Sequence, residues 1–193
     1  MEVAIEPLSY GLVEREWLDR KGRHYLQNAP PSCLFALGVR EAFVGLFGET
    51  IGQGPLLGLC LVGRPIARML PQDGTVGEVT RMVLMPGLPH GTASAVLRKA
   101  AAIARARGMR SLIAYHDRTR HSGCIYRKAG FRKDGATDPT KIRHGVGRTD
   151  GLTRASAGYE ATSKRRWRLD LTPSEASRGR PPASFPAPAL PRA

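Results

Sequence analysis

The sequence predicts an α/β (α+β) fold, a mixed central sheet with helices packed against both of its faces. Three features predict it. Residues 93–107 repeat apolar side chains at helical spacing between two apolar, strand-like runs. Several short apolar or alternating runs precede that unit. A short helical segment and two more strand-like segments follow it. Strand, long helix, strand is a βαβ arrangement, which gives parallel neighbours and a right-handed crossover.

Taken in order, Val3 to Pro7 alternates and reads as a first strand, and Gly11 to Arg20 as a helix with Leu12, Val13, Trp17 and Leu18 on its apolar side. Lys21 to Ser32 is a basic, proline-ended connection. Cys33 to Val39 is an apolar strand, whereas Ala42 to Gly54 mixes strand-like Phe43, Val44 and Phe47 with turn-forming Gly48, Gly52 and Gly54. Leu56 to Val62 is another strand, Pro71-Gln72-Asp73-Gly74 a turn, and Thr75 to Met85 the next strand.

In the long helix Ala93, Val96, Leu97, Ala100, Ile103 and Ala104 share a face and Arg98, Lys99, Arg105 and Arg107 lie outside it. Thr92 or Ser94 is the expected N-cap and Gly108 the C-terminal stop. Ser111 to Tyr115 is a strand, Gly123 to Ala129 a short helix, and Phe131 to Asp134 and Lys164 to Leu171 are closing strands. This organises the chain as one domain over residues 1–171, with a Gly-, Thr- and Arg-rich basic loop at 135–162, and a Pro/Ala/Arg-rich tail at 172–193 too poor in apolar side chains to offset its ordering entropy.

Charge is the first pointer to function. The chain carries 30 basic and 16 acidic residues, a net +14. Residues 1–117 hold 13 basic and 10 acidic side chains, residues 118–193 hold 17 and 6, so the excess is concentrated in the C-terminal part. Such a face attracts polyanions, although arginine-rich coding alone can produce basic proteins. Cys33, Cys60 and Cys124 are an odd number without metal-ligand spacing, so no metal site is expected. No run approaches the roughly 20 apolar residues of a membrane helix and the N-terminus does not resemble a secretory signal, so a cytoplasmic protein with no membrane partner is expected.

Three constellations could carry chemistry. The junction Val83-Leu84-Met85-Pro86-Gly87-Leu88-Pro89-His90-Gly91-Thr92-Ala93-Ser94 runs from strand through a Gly/Pro loop into a helix, whose unpaired N–H groups and dipole suit a pyrophosphate. The competing reading is an ordinary strand-to-helix turn. Tyr115-His116-Asp117 ends a predicted parallel strand, where α/β sheets place ligands, and His116 and Asp117 could act as base and orienting carboxylate with Tyr126 turned toward them. The competing reading makes Asp117 a turn cap and Tyr126 a core residue. Glu78 and Arg81, three apart on a strand, are expected on opposite faces, and burying either is costly outside a site. His24-Tyr25 stands in a basic loop, and His121 and His144 have no partner spacing.

Residues 75–85, 86–107, 111–115 and 123–129 resemble the acetyl-CoA-binding half of GNAT acyltransferases. Leu88-Pro89-His90-Gly91-Thr92-Ala93 stands where that superfamily carries a Q/R-x-x-G-x-G/A loop, matching at Gly91 and Ala93 and departing at Leu88. Tyr126-Arg127-Lys128-Ala129-Gly130-Phe131 resembles its Y-x-x-x-G-F ending. The resemblance implies a mostly antiparallel sheet, a βαβ cofactor-binding unit and acetyl-CoA held by Val83, Met85, Gly91, Thr92, Ala93 and Ser94.

A narrower resemblance is to phage Mom-like proteins that modify adenine in DNA. It rests on His24-Tyr25-Leu26, Glu78-Val79-Thr80-Arg81, Ala114-Tyr115-His116-Asp117 with His121-Ser122-Gly123-Cys124-Ile125-Tyr126, and Lys164-Arg165-Arg166-Trp167, although His116 stands where that family has alanine. It implies catalytic roles for His24, Tyr25, Asp117 and Tyr126, and substrate or DNA contacts by Glu78, Arg81, Arg118, Arg120, Arg165 and Arg166. Modification of the exocyclic amine of adenine, by a phage or mobile-element protein acting against restriction, is the leading expectation. The alternatives are a conventional GNAT N-acetyltransferase acting on a small amine or protein, and a catalytically decayed DNA-binding protein. The donor group, any metal requirement and the oligomeric state, a homodimer included, stay open.

Overall fold

A computed structural model of the chain describes residues 2–9, 11–13, 33–45, 47, 50–137 and 163–172. The expected helix beyond residue 13, the His24-Tyr25 loop, the basic loop from 138 to 162 with His144, and the tail from 173 lie outside the described residues.

Among the described residues seven strands form one sheet: β1 (Val3–Leu8), β2 (Phe35–Val44), β3 (Thr50–Gly63), β4 (Val76–Leu84), β5 (Ser111–Asp117), β6 (Arg132–Ala136) and β7 (Lys164–Asp170). Their order is β1-β2-β3-β4-β5-β7-β6. Every pair is antiparallel except β4 and β5, which the helix α1 (Thr92–Ala106) joins as a parallel crossover. A second, short helix, α2 (Cys124–Lys128), follows β5. The mixed, mostly antiparallel sheet expected from the sequence is therefore present. The glycine-rich stretch 42–54 is mainly strand, with β2 and β3 pairing as a hairpin out to Val44 and Thr50.

Helix α1 lies where its periodicity puts it. Val96, Leu97, Ala100 and Ala104 are fully buried against Leu37, Val39, Cys60, Val62 and Leu112 on one face of the sheet. The alanines let the helix approach closely, and burying a Leu97-sized side chain contributes about 1.5–3 kcal/mol. Gly108, at φ +79°, ends it, with the Met109 N–H bonded to the Ala104 carbonyl at 3.0 Å. Its start differs from expectation. The N-cap is Gly91 at φ +93°, without a side-chain cap. Thr92 and Ser94 lie within the first turn, buried, where Thr92 Oγ1 donates to the Pro89 carbonyl at 2.7 Å and Ser94 Oγ to the Ile125 carbonyl at 3.2 Å. Helices α1 and α2 pack on this face. The other face is covered, among the described residues, by the helical residues 11–13, whose Val13 joins Ala36, Leu59, Leu61 and Val83, so helical segments stand on both faces as expected.

Besides a register shift between β2 and β3 at Val39 and Glu41, two bulges shape the sheet near the site. In β4, Arg81 pairs with Leu61 but Val79 with the next residue, Val62, so Thr80 is an extra residue. In β6, Lys133 pairs with Trp167 and Gly135 with Arg166, leaving Asp134 extra. The first bulge overturns the expectation for Glu78 and Arg81. The inserted residue shifts the alternation by one, so both side chains stand on the face opposite α1, and both are buried.

Candidate active site

Strands β4 and β5 pair only from Val76↔Ser111 to Val79↔Ala114. Beyond that point β4 continues against β3 and β5 against β7, so the two parallel strands part. The gap opens on a cleft of about 280 Å³ lined by Met82 and Leu84 of β4, Ala93 of α1, and the segment His121–Ile125.

Backbone geometry determines which polar groups of β4 face that gap. The Met85 N–H donates to the Leu57 carbonyl at 2.8 Å. Antiparallel pairs alternate in hydrogen bonding, so Val83 also turns its N–H and C=O toward β3. Met82 and Leu84 turn theirs the other way, toward the gap. Val83 and Met85, the residues expected at the cofactor, thus turn their backbone groups toward β3, because sequence does not disclose which edge of a strand is taken.

At the cleft's far end stands the start of α1. The Thr92 N–H is taken by the Pro89 carbonyl at 3.1 Å and the Ala95 N–H by Gly91 at 2.9 Å. Between them the amides of Ala93 and Ser94 occupy the first turn, where a helix has no internal acceptors to offer. A Cβ added at Gly91 would meet nothing within 4 Å, so the backbone is open to an approaching ligand. Leu88 packs against the core, and the exposed cations at this end include Lys128, whose Nζ lies 3.4 Å from His90 Nε2, and Arg98, which donates to the Lys128 carbonyl at 3.2 Å.

Beside the cleft His116, His121, Tyr126 and Trp167 form an aromatic cluster. His116 is 5.8 Å from both Tyr126 and Trp167 and 4.8 Å from His121, centroid to centroid. Trp167 Nε1–H donates to His116 Nδ1 at 2.6 Å. Burial, seconded by His121, holds the His116 imidazole down to about 4, so it is neutral at ordinary pH. Asp117, next on the strand, projects to the opposite face. Its Oδ1 accepts from the Thr119 N–H at 2.9 Å and Oγ1 at 2.6 Å, and Oδ2 lies 3.5 Å from Arg120 Nε. The structure therefore separates the expected pairing of His116 as base and Asp117 as its orienter. It makes Asp117 a turn cap and buries the Tyr126 ring in the core, against Phe131 and Trp167.

The face opposite α1 carries a polar group at the point where β4 and β5 part. Glu78 stands beside Ile113, one residue before the last paired position. Burial pushes its carboxyl above the usual range against the pull of the Ile66 N–H, which donates to Oε2 at 2.9 Å, and of Arg81 and Lys164. Tyr115 and Arg166 share a side-chain hydrogen bond, and burial raises the Tyr115 phenol. Asp134 Oδ2 lies 2.8 Å from Arg166 Nε and 2.9 Å from Arg168 Nε. Arg165 is half-buried on the His116 side, whereas Arg118 and Arg120 are exposed on the turn after β5. Among the expected residues, then, the parting of the strands brings together Ala93 and the amides of α1 on one side and Glu78 and Arg81 on the other. Met82, Leu84 and Tyr115 are additions. The Tyr115-His116-Asp117 motif ends β5 where it parts from β4, while the bulge that selects its neighbours leaves no trace in the sequence. Among the described residues no three His, Cys, Asp or Glu side chains are grouped to hold a metal ion, and no helix is long and apolar enough to cross a membrane.

The sequence matches no known family model and no curated protein. Its fold does have counterparts. A GNAT superfamily phosphinothricin acetyltransferase from Sinorhizobium meliloti, solved with AcCoA, is similar at 14% identity and TM-score 0.57 over 96% of this chain and 97% of that one. An N-acetyltransferase from Staphylococcus aureus is similar at 16% identity and TM-score 0.56, over 89% of this chain and 100% of that one. The ribosomal-protein-S18-alanine N-acetyltransferase from Escherichia coli is similar at 11% identity and TM-score 0.54, over 90% and 96%. The chain has the fold of the GNAT acetyltransferases. None of these likenesses points to the phage DNA-modification proteins.

Proposed function

We propose that this chain is an N-acyltransferase that moves an acyl group from a coenzyme A thioester to an amine. The observation that carries the reading is the parting of β4 from β5 beside the open N-terminus of α1. The site fits the donor. Met82 and Leu84 present backbone donors and acceptors of the kind that bind an amide-bearing arm, and the cleft between them and Cys124-Ile125 is mainly apolar. Gly91 leaves room for phosphate at the amides of Ala93 and Ser94, with Lys128 supplying positive charge where Leu88 supplies none. The thioester supplies an acyl carbon activated by a thiol leaving group.

This chain's residues supply the proton handling. Glu78 is the candidate base for the incoming amine. It is buried at the parting of the strands, and its raised pKa keeps it basic enough to take a proton once ionised. Arg81, brought to the same face by the Thr80 bulge, favours that ionised form. Tyr126, whose ring is buried beside the cleft wall, is the residue that the resemblance of the Y-x-x-x-G-F ending offers to return a proton to the departing thiol. The test is an acceptor screen with acetyl-CoA that follows thiol release and product mass. Transfer to an amine supports the reading, and a folded chain that neither binds coenzyme A nor releases thiol across amine classes contradicts it.

A second reading makes the acceptor the exocyclic amine of adenine in DNA. It is favoured by the net charge of +14, concentrated after residue 117, and by Arg118 and Arg120 standing exposed next to His121 at the cleft. On this reading those residues, with Arg165 and Arg166, meet the DNA backbone, and Asp117, His24 and Tyr25 serve the flipped base. Mass spectrometry of nucleosides from DNA of expressing cells separates the two. A new adenine derivative absent from Glu78→Gln cells supports DNA as acceptor, and unmodified DNA beside transfer to a soluble amine excludes it.

A further inference from the structure

The segment between β5 and α2 forms one wall of the cleft, yet it belongs to no strand or helix. Its start is fastened by Asp117, whose carboxylate and carbonyl take bonds from Thr119, Arg120 and His121. Its end rests on something else. Gly123, at φ +73°, lies directly on the His116–Trp167 pair. A Cβ there would come within 2.6 Å of His116 Cε1 and 3.0 Å of Trp167 Cζ2. The pair is itself rigid. A buried indole N–H needs an acceptor, and His116 Nδ1 provides it at 2.6 Å, which fixes the ring and leaves the imidazole proton on Nε2. The Tyr126 ring then stacks on both, 5.8 Å from His116 and 5.6 Å from Trp167.

We propose that His116 is the positioning residue of the cleft. Its ring, held by Trp167, is the seat on which Gly123 sets the His121–Ile125 wall and Tyr126. Two consecutive residues of β5 thus fasten the two ends of one loop from opposite faces of the sheet. That the wall serves acyl transfer rests on the function proposed above, whereas the seating of the wall by His116 does not.

The test uses Cys124, half-buried on that wall, as a reporter in a full chain carrying Cys33→Ser, with Cys60 fully buried. The rate at which a maleimide labels Cys124 is compared in this parent and in His116→Phe, Trp167→Phe and His116→Asn, each shown to be folded by circular dichroism. His116→Phe keeps a ring but loses the acceptor, whereas Trp167→Phe loses the donor and the Cζ2 edge beneath Gly123, and both should label about tenfold faster as the wall opens. His116→Asn restores an acceptor at the place of Nδ1, the second His116 atom beneath Gly123, and should label several-fold more slowly than His116→Phe although it lacks the Cε1 edge. A rescue of that kind is not expected of simple loss of packing. Should His116→Phe fail to fold, Trp167→Phe against the parent gives the same comparison. Folded variants that all label at the parent rate overturn the seat. Acetyl-CoA added to the parent tests the other half. Slower labelling supports the acyl-donor reading of the cleft, and an unchanged rate contradicts that reading while the comparison among variants still decides the role of His116.

Discussion

Glu78 and Arg81, three positions apart on β4, share one face of the sheet because Thr80 is inserted between them as a bulge. An ordinary strand would have sent one of the two into the apolar face beneath α1. The bulge places a buried acid and a buried guanidinium together where β4 and β5 part, and for Glu78 the effect of burial exceeds the pull of Arg81.

Glu78→Gln should therefore separate stability from activity. The Glu78 pKa is raised in the folded chain, so its contribution favours folding at low pH and is lost as pH rises through that value. At neutral pH the glutamine variant, which can still accept the Ile66 N–H, should melt at the same or a higher temperature than wild type. Its kcat should fall about 100-fold or more, with KM for the acyl donor within about twofold. Wild-type kcat/KM should rise with pH as Glu78 ionises. Calorimetric melting and steady-state rates across pH check all three.

Gly123→Ala should cost far more than Gly87→Ala. Both glycines have positive φ, +73° and +83°, which costs an alanine about 1–2 kcal/mol. Only at Gly123 does the new Cβ also strike a buried ring, whereas at Gly87 it meets nothing within 4 Å. Urea unfolding should give about 2–4 kcal/mol for Gly123→Ala and about 1 for Gly87→Ala.

His116 should make stability pH-dependent on the acid side. Its pKa falls from 6.5 to about 4 on folding, so the neutral ring stabilises fully above the unfolded value and that contribution is lost as pH drops from 6.5 toward 4. The groups around it are His121, Arg165, Asp117 and Arg118, with Tyr126 and Trp167 against the ring. The loss should be on the order of 2–3 kcal/mol. It should be absent in His116→Asn, so the difference between the two unfolding profiles isolates it from the carboxylates.

If DNA is the acceptor, Arg118→Ala should weaken duplex binding uniformly across sequences and reduce the slope of log affinity against log salt by about one. Fluorescence anisotropy at several salt concentrations reads both. An unchanged slope would place the duplex elsewhere or remove it as a partner.

The sheet and the βαβ unit were legible in the sequence because burial writes periodicity. The face of Val96, Leu97, Ala100 and Ala104, the runs at 56–62 and 76–84, and Gly108 as the helix stop all follow from it. The site was legible only in outline. Gly91 and the end of β5 carry recognisable local chemistry. By contrast, a one-residue bulge changes no composition, so the shared face of Glu78 and Arg81 was hidden. The strand edge that β5 vacates depends on where pairing stops, so the turning of Val83 and Met85 toward β3, and of Met82 and Leu84 toward the gap, was hidden. The role of His116 needed its partner Trp167, 51 positions away, which only the β5–β7 pairing brings near.

The most direct test of the acyl-donor cleft is a calorimetric titration of the full chain with acetyl-CoA, beside Ala93→Trp, which fills the cleft where α1 begins. One site per chain with a Kd of about micromolar order, weakened at least tenfold in Ala93→Trp, is the predicted result. No binding by the folded wild-type chain, or equal binding by both chains, would contradict it.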